Sequence, residues 1–328
     1  MASRRLLLAA AVVLAFALGA AGAGWHLAMG YLRGPGPLQH PTVVDLPRGA
    51  GVSAIAARLA AAGAIEHPLA FVALARTQAK DRALKAGEYE LAPGMSPEAI
   101  MALLESGKVV QHPLAVPEGL TVREVYALLQ ASDLLAGDLP PLPPEGSLLP
   151  DTYLVPRGEP RAKVVERMQA AMTAAVGEAW AARQPDLPLK TTGDALILAS
   201  IIEKETGLAD ERRLVAAVFV NRLRAGMPLQ TDPTVIYALA EGKGPLGRDL
   251  TRADLEVASP YNTYRNPGLP PGAIANPGKG AIAAAVDPAP VDYLYFVASG
   301  EGGHRFASTL AEHNRNVARW RKLRKSPG

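Results

Sequence analysis

Two glutamates, Glu203 and Glu205, end an apolar run in the segment ASIIEKETG. In a helix, residues three, four and seven positions apart share one face. Glu205 then continues an apolar stripe formed by Leu198, Ile201 and Ile202. Glu203 falls on another side of the helix. Apolar surroundings penalise an ionised carboxylate and raise its pKa, which is the condition for a general acid that works near neutral pH.

The same residues allow a structural interpretation. Buried glutamates are often members of ion pairs, and Arg222 on the next predicted helix is a basic candidate for such a pair with Glu205. Glu203 is predicted to support the site or to cap the turn that follows its helix. Asn221 and Arg222 are predicted to support the site from the neighbouring helix. The residues alone leave both interpretations of Glu205 open.

Two later segments carry side chains that suit a sugar ligand. Gln230 and Asp232 lie in LQTDPTVIY, and Tyr261, Asn262 and Tyr264 lie in YNTYRNPG. Flat rings stack on pyranose faces, amides match hydroxyl groups, and the surrounding prolines reduce the entropy lost on binding. These five residues are the candidate substrate ligands. The alternative is a capped turn followed by a long connector.

Composition excludes several kinds of site. The chain of 328 residues has no cysteine, which excludes disulfides, thiol nucleophiles and cysteine–zinc sites. Its six histidines show no metal-ligand spacing, so we predict neither a metal nor a cofactor. The net charge of +3 is too small to indicate a nucleic-acid-binding protein.

The N-terminus predicts a membrane anchor. Arg4 and Arg5 precede Leu6–Leu32, a run without any charged residue that is long enough to span a bilayer. Trp25 and Tyr31 suit a membrane interface, and the two arginines predict a cytoplasmic N-terminus. The alternative is a signal peptide cleaved at the small residues of GAAGAG. Either way, the chain beyond the span lies outside the cytoplasm.

A short pattern recurs three times after the anchor and predicts a strand, a turn, an N-cap and an amphipathic helix. The capping residues are Ser53, Ser96 and Thr121, while Pro97 fits a first helical position and Glu124 completes a capping box. The first copy, with its preceding strand, resembles a LysM-type module, a class that binds the sugar backbone of cell walls. Ordinary capped helices are the alternative.

These observations predict an α+β fold with an N-terminal transmembrane helix, a LysM-like α+β subdomain and a mixed α+β domain that carries Glu203 and Glu205, the candidate catalytic domain. The predicted boundaries are 1–32 for a cytoplasmic stub and the anchor, 33–41 for a Gly/Pro linker, 42–115 for the subdomain and 116–328 for the catalytic domain.

Within the catalytic domain the sequence predicts several elements. Helices are expected from about Ala162 to Arg183, over Asp194–Thr206, and from an N-cap at Asp210 to a stop at Gly226. A β-hairpin is expected around Gly300–Gly303. The basic final helix is expected to be capped by Thr309 and Glu312 and to present a solvated surface.

Four segments together, ASIIEKET, VFVNRLRAGMPLQTDPTVIY, YNTYRNPGLPPGAIANPG and EGSLLPDTY, closely resemble the endolytic murein transglycosylases of the MltG (YceG-like) family. The resemblance implies a single-pass enzyme of the inner (cytoplasmic) membrane with its catalytic domain in the periplasm. It implies peptidoglycan glycan strands as substrate, cut as they are synthesised, with peptidoglycan synthases as partners. The family's catalytic glutamate is the second of its EKET motif, which corresponds to Glu205.

The implied chemistry needs one carboxylic acid. Glu205 would protonate the oxygen between N-acetylmuramic acid and N-acetylglucosamine, and its carboxylate would then take the proton of the muramyl C6 hydroxyl, which closes a 1,6-anhydro ring. No water enters, in contrast to ordinary glycosidases. Two alternatives remain at this point, a muramidase that hydrolyses the same bond and a wall-binding protein without catalysis.

Overall fold

The computed structural model describes residues 2–325, and for residues 2–10, 21 and 325 it describes the backbone alone. The side chains of Arg4 and Arg5, on which the predicted orientation depends, therefore lie outside the description, as do the last three residues of the predicted catalytic range. The chain forms two compact units. The first comprises the residues up to His112 with Val155–Gly158, and the second comprises Pro113–Leu154 with the residues from Glu159 onward.

The first unit is a two-stranded antiparallel sheet packed with helices. Its elements are α1 (Ala2–Arg33), β1 (Thr42–Leu46), α2 (Val52–Ala61), α3 (Pro68–Thr77), β2 (Gly87–Leu91) and α4 (Pro97–Ser106). Strands β1 and β2 pair in the register Thr42↔Leu91 to Leu46↔Gly87, and the two helices between them pack on each other. The alternating burial along both strands supplies one wall of the core, because successive side chains of a strand point to opposite faces.

Helix α1 contains the predicted anchor. Within the part of the chain that the structure describes, Ala11–Arg33 is the one helix long and apolar enough to cross a membrane, with a mean hydropathy of 1.7. A signal sequence near an N-terminus has the same properties. The helix therefore fits the predicted anchor and leaves its cleaved alternative open.

The segment predicted as a linker, 33–41, is packed against the first unit. The Gly36 N–H donates to the Gly94 carbonyl at 3.1 Å, the Gly94 N–H donates to the Leu38 carbonyl at 2.9 Å, and the Leu38 side chain is buried. A side chain at position 36 would collide with the Met95 carbonyl. Glycine and proline therefore serve close packing here, and the predicted bounds of the linker remain a prediction.

Two of the three predicted caps are formed. The Ser96 hydroxyl accepts from the Ala99 N–H in the first turn of α4 at 3.2 Å, and Thr121 with Glu124 forms a complete capping box. Ser53 does not cap its helix, because α2 begins at Val52 after Gly51 and places Ser53 inside the first turn. The prediction of a cap at Ser53 was wrong by this shift of the helix start.

The second unit is largely helical, with short two-stranded sheets at its periphery. Its elements are β3 (His112–Ala115), α5 (Val122–Ala131), β4 (Leu135–Ala136), β5 (Thr152–Val155), β6 (Glu159–Pro160), α6 (Arg161–Ala181), α7 (Thr192–Glu205), α8 (Ala209–Arg224), α9 (Asp232–Ala240), α10 (Lys279–Val286), β7 (Tyr295–Ala298), β8 (His304–Ala307) and α11 (Leu310–Lys325). Strand β3 pairs with β5, β4 with β6, and β7 with β8 as the predicted antiparallel hairpin. The mixed α+β class is confirmed.

Helix α7 is the centre of the second unit, because α6, α8, α9 and α10 all pack on it. Its N-terminus has a capping box in which the Thr191 hydroxyl and the Asp194 carboxylate each accept a backbone N–H. The buried surface of α7 is wider than the single apolar stripe that the sequence predicted. Ala199 and Ser200, four and three residues before Glu203 and so on its side of the helix, are completely buried as well. The helix is enclosed on several faces.

Helix α8 follows after a turn of three residues and differs at its start from the prediction. It begins at Ala209 with Leu208 in the N-cap position, so Asp210 lies in the first turn and does not cap the helix. The helix ends at Arg224, and Gly226 adopts a positive φ of 65°. That conformation is the usual reason for glycine just after a helix, and the predicted stop is confirmed.

Candidate active site

Glu205 is the last residue of α7, and its carboxylate lies at the wall of a cavity. The pKa of Glu205 is raised to about 7, chiefly by burial and to a smaller extent by the neighbouring carboxylate of Asp232. A hydrogen bond from the Thr231 hydroxyl to Glu205 Oε1 and the charges of His304 and Arg222 act in the opposite direction. A carboxyl group with this pKa is substantially protonated near neutral pH and can deliver a proton.

The cavity beside Glu205 measures about 170 Å³ and has a mainly polar lining. The lining residues are Glu205, Phe219, Arg222, Leu229, Gln230, Asp232, Tyr264 and Phe296. Pockets that enclose a whole ligand measure roughly 300–1,000 Å³. The smaller volume fits a group at the reacting bond, while the rest of a long polymer would lie outside it.

Asp232 and Tyr264 meet at this cavity. The Tyr264 hydroxyl donates to Asp232 Oδ1 at 2.6 Å, which joins the start of α9 to the YNTYRNPG loop. Burial, followed by this hydrogen bond, raises the pKa of the Tyr264 hydroxyl, so the phenol stays protonated. The pair presents a carboxylate and a phenol beside Glu205, as the sequence predicted for ligands of sugar hydroxyls.

Gln230 lines the cavity, and its backbone has an unusual conformation. Its φ of 47° is left-handed, a conformation that few non-glycine residues adopt. The Gln230 N–H donates to the Thr263 carbonyl at 3.2 Å, and the next amide, of Thr231, donates to Thr263 Oγ1 at 3.1 Å. These two hydrogen bonds to the buried Thr263 hold the strained turn. They therefore fix the backbone position from which the exposed Gln230 side chain extends.

Arg222 lines the cavity without forming the ion pair that the sequence left open. Its Nε donates to the Leu294 carbonyl at 2.7 Å and its Nη1 donates to the Leu229 carbonyl at 2.7 Å. Over the residues that the structure describes, no salt bridge joins Arg222 to Glu205. The guanidinium is therefore committed to two backbone segments and acts on Glu205 only as a nearby positive charge.

Glu203 points to a different part of the unit. Its Oε2 accepts from the Gly278 N–H at 3.0 Å, where Gly278 is the N-cap residue of α10. Burial raises the pKa of Glu203 as well, so a raised pKa by itself does not separate the two glutamates. The turn that Glu203 was expected to cap is held by Thr206, whose hydroxyl accepts from the Leu208 amide at 3.1 Å.

Asn262 is not in the cavity. Its side chain is fully buried, and its amide nitrogen donates to the carbonyls of Leu255 and Val257 at 2.8 and 2.9 Å. Its Oδ1 accepts from the Tyr264 backbone N–H at 3.0 Å. In this structure Asn262 has no free group for a sugar, and its contacts instead fix the loop that carries Tyr264.

Tyr261 and Asn221 also lie away from the cavity wall. The ring of Tyr261 packs against Tyr237 with centroids 4.9 Å apart. The Asn221 side chain donates to the carbonyls of Val291 and Tyr293 at 2.8 and 3.0 Å. Asn221 thus ties α8 to the segment that leads into the hairpin, which is a supporting contact.

The sequence analysis missed Thr231, which donates a hydrogen bond to Glu205, and three apolar residues of the cavity lining, Phe219, Leu229 and Phe296. Thr231 lies between the two candidates Gln230 and Asp232, and its position in the same motif was the available signal. Phe296 on β7 lines the cavity, yet nothing in its local sequence distinguishes it from any other apolar strand residue. Long-range packing alone brings it to the acid.

A second cavity of about 460 Å³ lies on the other side of α9's first turns. Its lining residues include Thr121, Glu124, Lys204, Pro233, Ile236, Tyr237, Arg248 and Ile274, with the loop from Gly242 to Gly247. Lys204, between the two glutamates, donates to the Gly119 carbonyl at 3.1 Å. The loop from Gly242 to Gly247 thus forms one wall of a mainly apolar cavity.

A family model and two curated relatives match this chain over most of its length. The model of the YceG-like family matches residues 44–319. The endolytic murein transglycosylase of Bacillus subtilis (strain 168) is 33% identical over 305 residues, which cover 83% of this chain and 82% of that protein. The endolytic murein transglycosylase of Streptococcus pneumoniae serotype 2 (strain D39 / NCTC 7466) is 31% identical over 84% of this chain, which spans 57% of that longer protein.

Among solved structures, the chain is similar to the yceG-like protein lmo1499 of Listeria monocytogenes, determined by crystallography at 2.6 Å. The TM-score is 0.53 at 32% sequence identity, and the match covers 84% of this chain and 99% of that one. The similarity therefore extends over both the fold and the sequence.

Proposed function

The chain belongs to the YceG-like family, and from this premise we propose that it is an endolytic peptidoglycan lytic transglycosylase in which Glu205 is the single acid–base residue. The proposed substrate is the peptidoglycan glycan strand, cut between N-acetylmuramic acid and N-acetylglucosamine. The observation that carries the proposal is the position of Glu205 at a polar cavity, with burial raising its pKa to about 7.

The proposed reaction uses the carboxyl group twice. In the first step Glu205 gives its proton to the glycosidic oxygen, so that the bond to the muramyl C1 breaks and the N-acetylglucosamine side leaves as an alcohol. In the second step the Glu205 carboxylate takes the proton of the muramyl C6 hydroxyl, and the C6 oxygen bonds to C1. Glu205 ends protonated, as it began, and no water is consumed.

The sugars would be held chiefly by the groups that reach the cavity. We propose that Gln230, Asp232 and Tyr264 bind sugar hydroxyl and acetamido groups at the reacting bond. Tyr261 and Asn262, predicted as ligands from the sequence, fit the proposal better as residues that shape the loop. A buried amide already bonded to two carbonyls would have to break those bonds to reach a ligand.

Hydrolysis is the second candidate, and one observation favours it. Asp232 places another carboxylate at the cavity of Glu205, and a second carboxylate is what an ordinary glycosidase uses to activate water or to attack the sugar. The lytic transglycosylase remains the better proposal, because curated relatives with that activity match most of this chain. A wall-binding protein without catalysis is the third candidate.

The membrane location is part of the proposal. We propose that α1 remains as a single-pass anchor in the cytoplasmic membrane, with the N-terminus in the cytoplasm and the chain after α1 outside it. The β1–α2–α3–β2 arrangement of the first unit, with its antiparallel strand pair, supports the LysM-like assignment and a role in holding glycan. An anchored enzyme of this kind would meet strands as membrane synthases make them and could end their growth.

Digestion of purified sacculi tests the function. The full chain in detergent is incubated with sacculi, and the released glycan ends are identified by mass spectrometry, with the Glu205→Gln variant as the control. A transglycosylase releases 1,6-anhydro ends, a muramidase releases reducing ends, and a binder releases neither. Reducing ends, or no release, would reject the proposed reaction.

A further inference from the structure

The imidazole of His304 and the carboxylate of Glu211 form a pair close to the proposed acid. His304 lies on β8 and Glu211 in the first turn of α8. The His304 backbone N–H donates to Glu211 Oε1 at 2.7 Å, and His304 Nδ1 lies 2.7 Å from Glu211 Oε2. Both side chains are mostly buried, with 18% and 15% of their surfaces exposed. Both carboxylate oxygens are therefore committed to the hairpin.

Thr206 connects this pair to the acid, because it is the residue directly after Glu205. Its hydroxyl lies 3.3 Å from Glu211 Oε2, within hydrogen-bond distance, and it also accepts from the Leu208 amide. The Thr206 side chain is buried. The direction in which the backbone leaves Glu205 is thus fixed by a contact to Glu211.

Phe296 provides a second connection between the pair and the cavity. It lies on β7, the partner strand of β8, and lines the cavity of Glu205. Its ring meets the His304 ring edge-on at 5.1 Å and the Phe219 ring at 5.9 Å. The hydrogen bonds between His304 and Glu211 of α8 therefore also hold Phe296, and with it one wall of the cavity, in place.

We propose that the Glu211–His304 pair is a positioning element of the active site, which fastens the β7–β8 hairpin to the turn after Glu205 and so sets the orientation of the acid. This inference rests on the proposed role of Glu205. The other charged or titratable groups that act on Glu205 are Asp232, Arg222 and Tyr264, none of which belongs to this hairpin.

The pair also has an electrostatic consequence. A positive charge on His304 lowers the pKa of Glu205, although burial raises it overall. Removal of His304 should therefore raise the pKa of Glu205. Because a general acid loses activity when it deprotonates, the alkaline limb of the pH–activity profile should move to higher pH.

The test compares His304→Gln with Glu301→Gln, a control on the same hairpin that removes only an exposed ion pair with Arg305. We expect kcat on soluble glycan to fall about tenfold in His304→Gln, since small misplacements of a catalytic group cost up to roughly a hundredfold. KM should change less than about twofold, and the alkaline limb of the pH–activity profile should move to higher pH. Glu301→Gln should match the wild type.

A second pair of variants keeps the test decisive if His304→Gln does not fold. Thr206→Val removes the hydroxyl with little change of shape, and Thr206→Ser restores it, so kcat should fall in the first and recover in the second. Unchanged kcat and an unmoved alkaline limb in His304→Gln, or equal kcat in both Thr206 variants, would overturn the inference.

A readout without turnover separates this inference from the proposed function. The carboxyl carbon of Glu205, labelled with carbon-13, can be titrated by NMR in the wild type and in His304→Gln. A higher pKa in the variant supports the positioning role even if the wild type releases no anhydro ends, an outcome that would reject the proposed function alone. An unchanged titration would overturn the positioning role while anhydro ends still supported the function.

Discussion

The hydroxyl of Thr231 donates a hydrogen bond to Glu205 Oε1, which joins the residue before α9 to the last residue of α7. Thr231 is itself buried, and its backbone N–H donates to Thr263 Oγ1 at 3.1 Å. The acid is therefore held by a partner whose own position is set by the YNTYRNPG loop. Three sequence motifs that are far apart along the chain meet at one carboxyl group.

Loss of the Thr231 hydroxyl should disturb the acid directly. Because its hydrogen bond lowers the pKa of Glu205, Thr231→Val should raise that pKa and move the alkaline limb of activity to higher pH. A hydrogen bond to a charged group contributes roughly 1.5–3 kcal/mol, so kcat should fall about tenfold or more. Thr231→Ser keeps the hydroxyl and serves as the control. Identical pH profiles for the valine and serine variants would show that this contact does not set the pKa of Glu205.

Asp232 distinguishes the two enzymatic candidates. Its charge raises the pKa of Glu205, so Asp232→Asn should lower that pKa and move the alkaline limb to lower pH. Under the transglycosylase proposal the variant still forms anhydro ends, with a higher KM because a sugar ligand is altered. A muramidase that used Asp232 as its second carboxylate would instead lose turnover by several orders of magnitude. Steady-state kinetics with product analysis measures both quantities.

The raised pKa of Glu205 also predicts how stability depends on pH. In the unfolded chain the group titrates near its ordinary value of 4.5, and in the folded chain it titrates near 7. The folded state therefore binds the proton more tightly, and this contribution to stability is lost as pH rises from about 4.5 through 7. Glu205→Gln removes the ionisable group, so at pH 8 it should be more stable than the wild type by up to about 3 kcal/mol.

Thermal unfolding of both proteins at pH 4 and pH 8 measures this difference. At pH 4 the wild-type carboxyl is protonated, and the two melting temperatures should agree closely. A variant that is less stable than the wild type at pH 8 would indicate that the carboxylate is stabilised by a partner, as in the ion-pair interpretation.

Local patterns predicted most elements of the second unit. Periodicity and caps predicted α5, α6, α7, α8 and α11 but not α10, and the hairpin followed from two strand-like runs around Gly300–Gly303. The predicted caps at Ser53 and Asp210 were wrong because the helices α2 and α8 begin a residue or two earlier than expected. A capping side chain depends on that start, and local sequence determines it only within a few residues.

The candidate site was predictable where chemistry and motif coincide. Glu205, Gln230, Asp232, Arg222 and Tyr264 lie together at the cavity. Among the other candidates, Asn221, Asn262 and Glu203 form hydrogen bonds with backbone groups, and Tyr261 packs against Tyr237. Sequence gives the type of a side chain, but which way it faces in a loop depends on contacts that are distant along the chain.

The packed segment 33–41 gives a prediction about the first unit. Amides of a flexible spacer exchange with solvent within seconds, whereas hydrogen-bonded amides are protected until the structure opens. Hydrogen exchange by mass spectrometry on the full chain in detergent should therefore show protection at Gly36 and at its partner Gly94. Gly36→Ala should remove it, because the added carbon collides with the Met95 carbonyl. Gly51→Ala, where a side chain meets nothing within 4 Å, is the matched control. Unprotected amides at Gly36 and Gly94 in the wild type would contradict this packing.

The central claim is that Glu205, and not Glu203, is the acid. Both carboxyl groups are buried enough to have raised pKa values, but Glu205 lines the cavity while Glu203 accepts from the Gly278 amide. Glutamine preserves the shape of either residue and removes the transferable proton. General acid–base catalysis contributes roughly 10²–10⁴-fold, so its loss in a residue that acts twice should reach the upper end of that range.

The most direct measurement is the rate at which anhydromuramyl ends form on the same purified glycan with wild type, Glu205→Gln and Glu203→Gln, with circular dichroism to verify folding. We predict a folded Glu205→Gln protein whose rate falls by about 10⁴-fold, and a Glu203→Gln protein that retains most of its activity. Rapid formation of anhydro ends by Glu205→Gln, together with a folded but inactive Glu203→Gln, would contradict the account.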